Sequence, residues 1–267
     1  MKKIPSDGPT EIFARMATSA MTITLGDKCE NHRGMQIIGT TAFSGMSCTY
    51  VRGIAESMRA NGYKCEISEL NELTDDPEAV QACVLVVRGG LDKITGVVGF
   101  ADKLQDEMNA LKWDSKAKMY GRVVNKRARH NLCFADFTQD ADFEVGKGTV
   151  VNFDSLPILS TFRQALPSLF GQMASNLLGE GNLYYDTAKC GIGYHGDAER
   201  KIVIGVRLGA RIPLAYQWYK NSKPIGKRAV ILPEHGDLYV MSEKAVGTDW
   251  KKKKVPTLRH SAGENYI

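Results

Sequence analysis

The sequence has no apolar run approaching the about 18 residues that a membrane-spanning helix needs. Its first residues, Met1-Lys2-Lys3-Ile4-Pro5-Ser6-Asp7-Gly8, lack the apolar segment of a secretory signal. Both absences argue against membrane and secreted classes. Cys-x-x-Cys is missing too: six cysteines stand apart at 29, 48, 65, 83, 133 and 190. That excludes the usual zinc spacings and implies reduced thiols in an intracellular, cytoplasmic or nuclear, compartment. No internal repeat exists, and Lys251–Lys254 is the sole low-complexity tract. No segment points to a protein partner.

Of the 267 residues, 43% are hydrophobic, enough for a packed core. The net charge of +5 is uneven. Residues 1–110 hold 11 Lys+Arg against 15 Asp+Glu, and residues 111–267 hold 24 against 15. A basic second part attracts polyanions; ordinary solvated lysines are the alternative.

The chain divides into an α/β N-terminal extension over 1–110, of no evident role, and a second part over 111–267. Residues 1–20 read as a loosely ordered lead-in. Strands are expected at Met21–Leu25, Gln36–Gly39, Tyr63–Leu70 and Val84–Val87. Cys48–Asn61 has helical spacing and stops at Gly62. Asp75-Asp76-Pro77-Glu78 reads as a helix start, and Gly99–Lys112 as an amphipathic helix. A helix interrupted by Pro167 is expected over Ile158–Leu178, then strands at Ile202–Leu208, Ile212–Tyr219, Ala229–Leu232 and Leu238–Ser242. Such a run of short strands suggests a closed or double-sheet β structure. The class is therefore α+β.

Chemistry concentrates at Gly193-Tyr194-His195-Gly196-Asp197, with His260 following 63 residues after Asp197. On a strand, His-x-Asp puts both side chains on one face. A distant second His closes a two-His, one-carboxylate set of metal ligands, which suits non-haem Fe(II) and leaves positions open. His32 and His235 lie in polar turns and read as structural or surface residues.

The stretches Gly181-Asn182-Leu183-Tyr184-Tyr185-Asp186 and Gly191-Ile192-Gly193-Tyr194-His195-Gly196-Asp197-Ala198-Glu199 resemble the core motif of AlkB-like dioxygenases. Leu208-Gly209-Ala210, then Glu234-His235-Gly236-Asp237-Leu238-Tyr239-Val240-Met241 and Arg259-His260, follow in that family's order. The resemblance covers roughly residues 150–262. It implies a C-terminal double-stranded β-helix, a jelly-roll-like fold, and an enzyme that uses Fe(II), 2-oxoglutarate and O₂. It implies that His195, Asp197 and His260 hold iron and that Asn182 and Tyr184 contact 2-oxoglutarate. The reaction implied decarboxylates the cosubstrate to succinate and CO₂ and oxidises a C–H bond. On the N-methyl group of a base this releases formaldehyde and repairs DNA or RNA. Hydroxylation of a methylated pyrimidine, a protein or a small molecule is the alternative, and a silent nucleic-acid-binding relative the third.

The chain departs from that family at one point. The family places arginines on the strand after the distal His, one of them pairing with the far carboxylate of the cosubstrate. Only Ser261-Ala262-Gly263-Glu264-Asn265-Tyr266-Ile267 follow His260. Arg207 and Arg211, on or near a strand after the metal pair, are the candidates to replace it; plain surface arginines are the alternative.

Tyr120–Asn131 interleaves cations with aromatics, a pattern that grips phosphates and stacks bases. In AlkB-like enzymes the corresponding region forms a lid over the substrate nucleotide, here about 112–150. Lys126, Arg127, Arg129 and His130 are the expected substrate-binding residues, and Lys251–Lys254 a second phosphate contact. Solvated basic surface is the alternative for both.

Overall fold

The computed structural model describes residues 18–267, so all but the last few residues of the expected N-terminal lead-in lie outside the described residues. The molecule is sheet-rich α+β. In chain order the strands are β1 (Ala20–Gly26), β2 (Lys28–Glu30), β3 (Ile37–Gly39), β4 (Lys64–Glu69), β5 (Cys83–Arg88), β6 (Lys116–Met119), β7 (Arg122–Asn125) and β8 (His130–Ala135). Then come β9 (Val150–Asn152), β10 (Leu178–Tyr184), β11 (Ile192–His195), β12 (Val203–Gly209), β13 (Leu214–Lys220), β14 (Lys223–Ile231), β15 (Leu238–Met241) and β16 (Thr257–Ala262). The helices are α1 (Cys48–Ala60), α2 (Gly90–Thr95), α3 (Phe100–Asn109), α4 (Pro157–Phe170) and the single turn α5 (Glu243–Val246).

An eight-stranded sheet has the order β4-β5-β15-β12-β1-β10-β8-β9, and a four-stranded sheet the order β11-β16-β13-β14. Every pairing is antiparallel except β8 with β9. β2–β3 and β6–β7 are separate hairpins.

Side chains alternate across a strand, and this sorts the large sheet into two faces. Met21, Ile23, Leu25, Cys83, Leu85, Val87, Ile204, Val206, Leu208, Leu238 and Val240 join one core with α1, α3 and α4. The opposite residues of the same strands, Val84, Val86, Val203, Tyr239 and Met241, pack with Leu214, Tyr216, Trp218 and Leu258 of the small sheet. α1 begins at the Ser47 cap, whose hydroxyl accepts from the Tyr50 amide.

The division at residue 110 is not carried into this architecture. β1, β4 and β5 come from the expected extension, yet they are strands of the large sheet, and β1 bonds β10 on one edge and β12 on the other. Asp75–Glu78 starts no helix. Asp76 Oδ1 accepts from the Glu78 amide at 3.0 Å, closing a local turn, and its other oxygen takes Lys220 Nζ at 2.8 Å. α4 runs through Pro167 and ends at Phe170, short of the expected Leu178, which instead begins β10.

Candidate metal centre

His195 ends β11 and His260 lies in β16, directly opposite it in the register of the small sheet. Their rings meet edge to face with centroids 4.4 Å apart. Asp197 follows in the turn after β11, and its Oδ1 lies 3.6 Å from the Nε2 of both histidines. One ligand atom from each of the three residues falls within 4.8 Å of the others.

The turn explains the glycine between the ligands. A Cβ on Gly196 would stand 2.1 Å from the carbonyl oxygen of Gly247. This close approach lets the Asp197 amide bond Val246 O at 2.9 Å and fixes the backbone of the ligand.

Each ligand is oriented by a neighbour. His195 Nδ1 donates to Gly193 O at 2.8 Å, so the proton sits on Nδ1 and Nε2 offers its lone pair. Burial, reinforced by the adjacent His260, pulls the His195 pKa down to about 3 and keeps the ring neutral. Asp197 Oδ2 is held by Arg200 Nε at 3.3 Å, leaving Oδ1 to face the histidines. Burial pushes the Asp197 carboxyl up, but the Arg200 guanidinium and the His260 hydrogen bond outweigh it and hold it well below the usual carboxylate range. Arg200 is itself buried and pairs with Glu180 at 2.5 Å and Glu199 at 3.1 Å.

The triad opens into a cavity of about 450 Å³ between the sheets. Its floor is the polar face of the large sheet. The register aligns Arg207 of β12, Thr22 of β1, Asn182 of β10 and Asn131 of β8 in one row across four strands. Tyr184 and Tyr239 border that row. Gly205 makes room for Tyr239: a Cβ there would fall 2.0 Å from the phenol ring.

Arg207 is 1% exposed, and its Nε and Nη1 have no hydrogen-bond partner. Among the described residues no carboxylate pairs with it. Burial pulls its pKa down from the ordinary guanidinium value. Asn182 is engaged: its Oδ1 accepts from Arg129 Nε at 2.6 Å and from Asn131 Nδ2 at 2.7 Å.

Two expected site residues stand elsewhere. Arg211 is exposed and ion-paired with Glu234, and it does not line the cavity, so it is not the cation of this site. Lys126 does not face solvent as a phosphate contact would. It is buried, and its Nζ donates to Asn31 Oδ1 at 2.7 Å and to Asn131 Oδ1 at 3.0 Å. Burial lowers its pKa to about 7. Arg129 lines the cavity, Arg127 is exposed, and His130 stacks on Tyr185 with ring centroids 4.7 Å apart.

Sequence reasoning missed Arg200, Glu180, Glu199, Glu30, Arg33 and Trp250, which all line the cavity, and took His32, another lining residue, as surface. Arg200 and Glu199 flank the metal motif by three residues or fewer. Glu180 shares the period-two face of Asn182 and Tyr184, a signal that the strand pattern carried. His235 matches the structural reading, since its Nδ1 accepts from the Gly209 amide at 3.0 Å.

No family model matches the chain. Over 249 residues, 91% of this chain and 95% of its relative, it is 46% identical to "Uncharacterized protein R156" of Acanthamoeba polyphaga mimivirus.

Proposed function

The chain belongs to the family of that mimiviral protein, and we propose that it is an AlkB-like, Fe(II)- and 2-oxoglutarate-dependent dioxygenase acting on alkylated or methylated bases in nucleic acid. In this reading the two facing sheets form the jelly-roll. β1 takes the place, between β10 and β12, of the strand that the family runs after the distal His.

One observation carries the reading: a two-His, one-carboxylate triad and an unpartnered, buried guanidinium open into the same cavity. The donor set fits Fe(II), because imidazole and carboxylate suit it and three ligands on one side leave positions open. Two orphans fit the group as well: His260 Nδ1 and the Arg207 nitrogens are buried without partners. Such groups cost free energy unless a ligand satisfies them.

Bound there, iron and 2-oxoglutarate supply the oxidation of a C–H bond with O₂. The chain's own residues do the positioning. Gly193 fixes the tautomer of His195, and Arg200 turns Asp197 so that one oxygen faces the histidines. Arg207 takes the far carboxylate of 2-oxoglutarate, its planar fork matching the two oxygens. Tyr184, Tyr239, Thr22 and Thr24 wall that end and exclude water. Arg129 ties Asn182 down, so the row beside Arg207 is preorganised. The base enters from the side of Arg33 and Trp250, beyond the triad.

The test is turnover of N-methylated oligonucleotides with Fe(II) and 2-oxoglutarate. Formaldehyde and succinate in equal amounts are expected, with none from Asp197→Ala. Turnover retained in Asp197→Ala refutes the ligand assignment. Hydroxylation of a non-nucleic substrate with no oligonucleotide turnover refutes the substrate class.

A further inference from the structure

The β6–β7 hairpin ends in a two-residue turn, Tyr120-Gly121, flanked by the Met119–Arg122 pair. Both turn residues have positive φ, 51° for Tyr120 and 78° for Gly121, the conformation of a type I′ turn. Asn and Gly adopt it readily, whereas a bulky aromatic residue there is an outlier. The chain itself provides the comparison. The β13–β14 hairpin turns through Asn221-Ser222, with φ of 52° and 63°, and puts an asparagine at the same first position.

Tyr120 gains no packing in exchange: it is 95% exposed. Strain kept at a residue without folded-state contacts points to a task outside the fold. The surroundings say what kind. Between Ser115 and Ala135 there is no Asp or Glu. Lys116, Arg122 and Arg127 are exposed, and Lys118 is half-buried, its Nζ bonding Glu144 O. The hairpin's foot is tied to β8 through the Asp114–Asn131 bridge. Arg129, at the same foot, lines the cavity of the triad.

We infer that this hairpin is a nucleic-acid finger: its cations follow the phosphates and Tyr120 stacks on a base of the strand whose target base enters the cavity. A cation-only ribbon would hold phosphates without an aromatic tip; the strained tyrosine adds a face that any base can stack on. The inference rests on the nucleic-acid part of the proposed function but not on the oxidation.

The experiment measures binding of the full chain, without iron or cosubstrate, to short oligonucleotides carrying 2-aminopurine, single-stranded and duplex. Tyr120→Asn relieves the turn, so its melting temperature is unchanged or higher. Its affinity falls about tenfold, 1.4 kcal/mol at 25 °C, and the quenching of 2-aminopurine seen with the native protein is lost. Tyr120→Phe keeps the ring and retains both affinity and quenching. Equal affinity and quenching in Tyr120→Asn overturn the finger. So does a poly-glutamate peptide that binds as tightly as the oligonucleotide with the same dependence on Tyr120. Tyr120-dependent binding without succinate formation in any mixture leaves the finger standing and removes the enzyme.

Discussion

A guanidinium buried without a carboxylate is an unfavourable state of a protein alone, and Arg207 holds that state on the floor of the cavity. Arg207→Met removes the cation while keeping the stem that packs there. In the absence of ligand its melting temperature is expected to equal or exceed that of the native protein. Added 2-oxoglutarate raises the native melting temperature and leaves that of the variant unchanged, with affinity lower by roughly a hundredfold, the effect of a lost charge-assisted pair. A variant that 2-oxoglutarate still stabilises to the native extent contradicts the assignment. Glu30 carries a pH prediction. Burial, with repulsion from Glu199 and Glu180, overcomes the Gly34 amide and lifts its pKa from 4.5 to about 7. The folded state therefore binds more protons than the unfolded one between those values. This contribution to stability is full below pH 4.5 and is lost as pH rises through 7, a fall of roughly 2 kcal/mol after allowance for partial exposure. Chemical denaturation across that window shows the fall, and Glu30→Gln flattens it; an unchanged profile in the variant contradicts it. At this scale the metal triad was legible because His-x-Asp has one meaning on a strand. The Arg207 site was half legible: its strand was readable, but only the pairing of β12 with β1 shows which arginine points inward.

The basic hairpin shows what sequence pattern leaves open at the scale of an element. Lys126 and Arg127 are neighbours with the same charge, yet one is buried in a network of asparagines and the other is solvated. Spacing alone cannot divide them, since the partners Asn31 and Asn131 come from distant parts of the chain. Lys126→Met leaves two buried amide oxygens without a donor and costs about 2 kcal/mol of stability. Arg127→Ala leaves stability unchanged and lowers the salt dependence of oligonucleotide binding by about one ion. Denaturant titration and a salt series measure the two effects; the reverse assignment, Arg127 structural and Lys126 electrostatic, contradicts the placement. Helices and strands with a clear period were legible to within a few residues. The turn at Asp75–Glu78 was not, because Lys220 and the local Asx bond decide it.

For the whole molecule, strand order is the part that no local pattern encodes. β1 reads correctly as a strand, but nothing in Met21–Leu25 tells that it lies at the centre of the large sheet, bonded on both edges. Residues 111–267 expressed alone should therefore fail to fold, because removal of β1 leaves two unpaired edges and opens the core around Met21, Ile23 and Leu25. A monomeric 111–267 fragment with a cooperative unfolding transition contradicts this. The same topology bears on the central claim, since β1 brings Thr22 beside Arg207 and closes the cavity beneath the triad. The direct test is anaerobic addition of Fe(II) and 2-oxoglutarate to the full chain, followed by O₂. A weak visible charge-transfer band that needs both additions, then succinate, is the expected result, with neither signal in Asp197→Ala. Iron bound by the native chain with no band and no succinate would contradict the account.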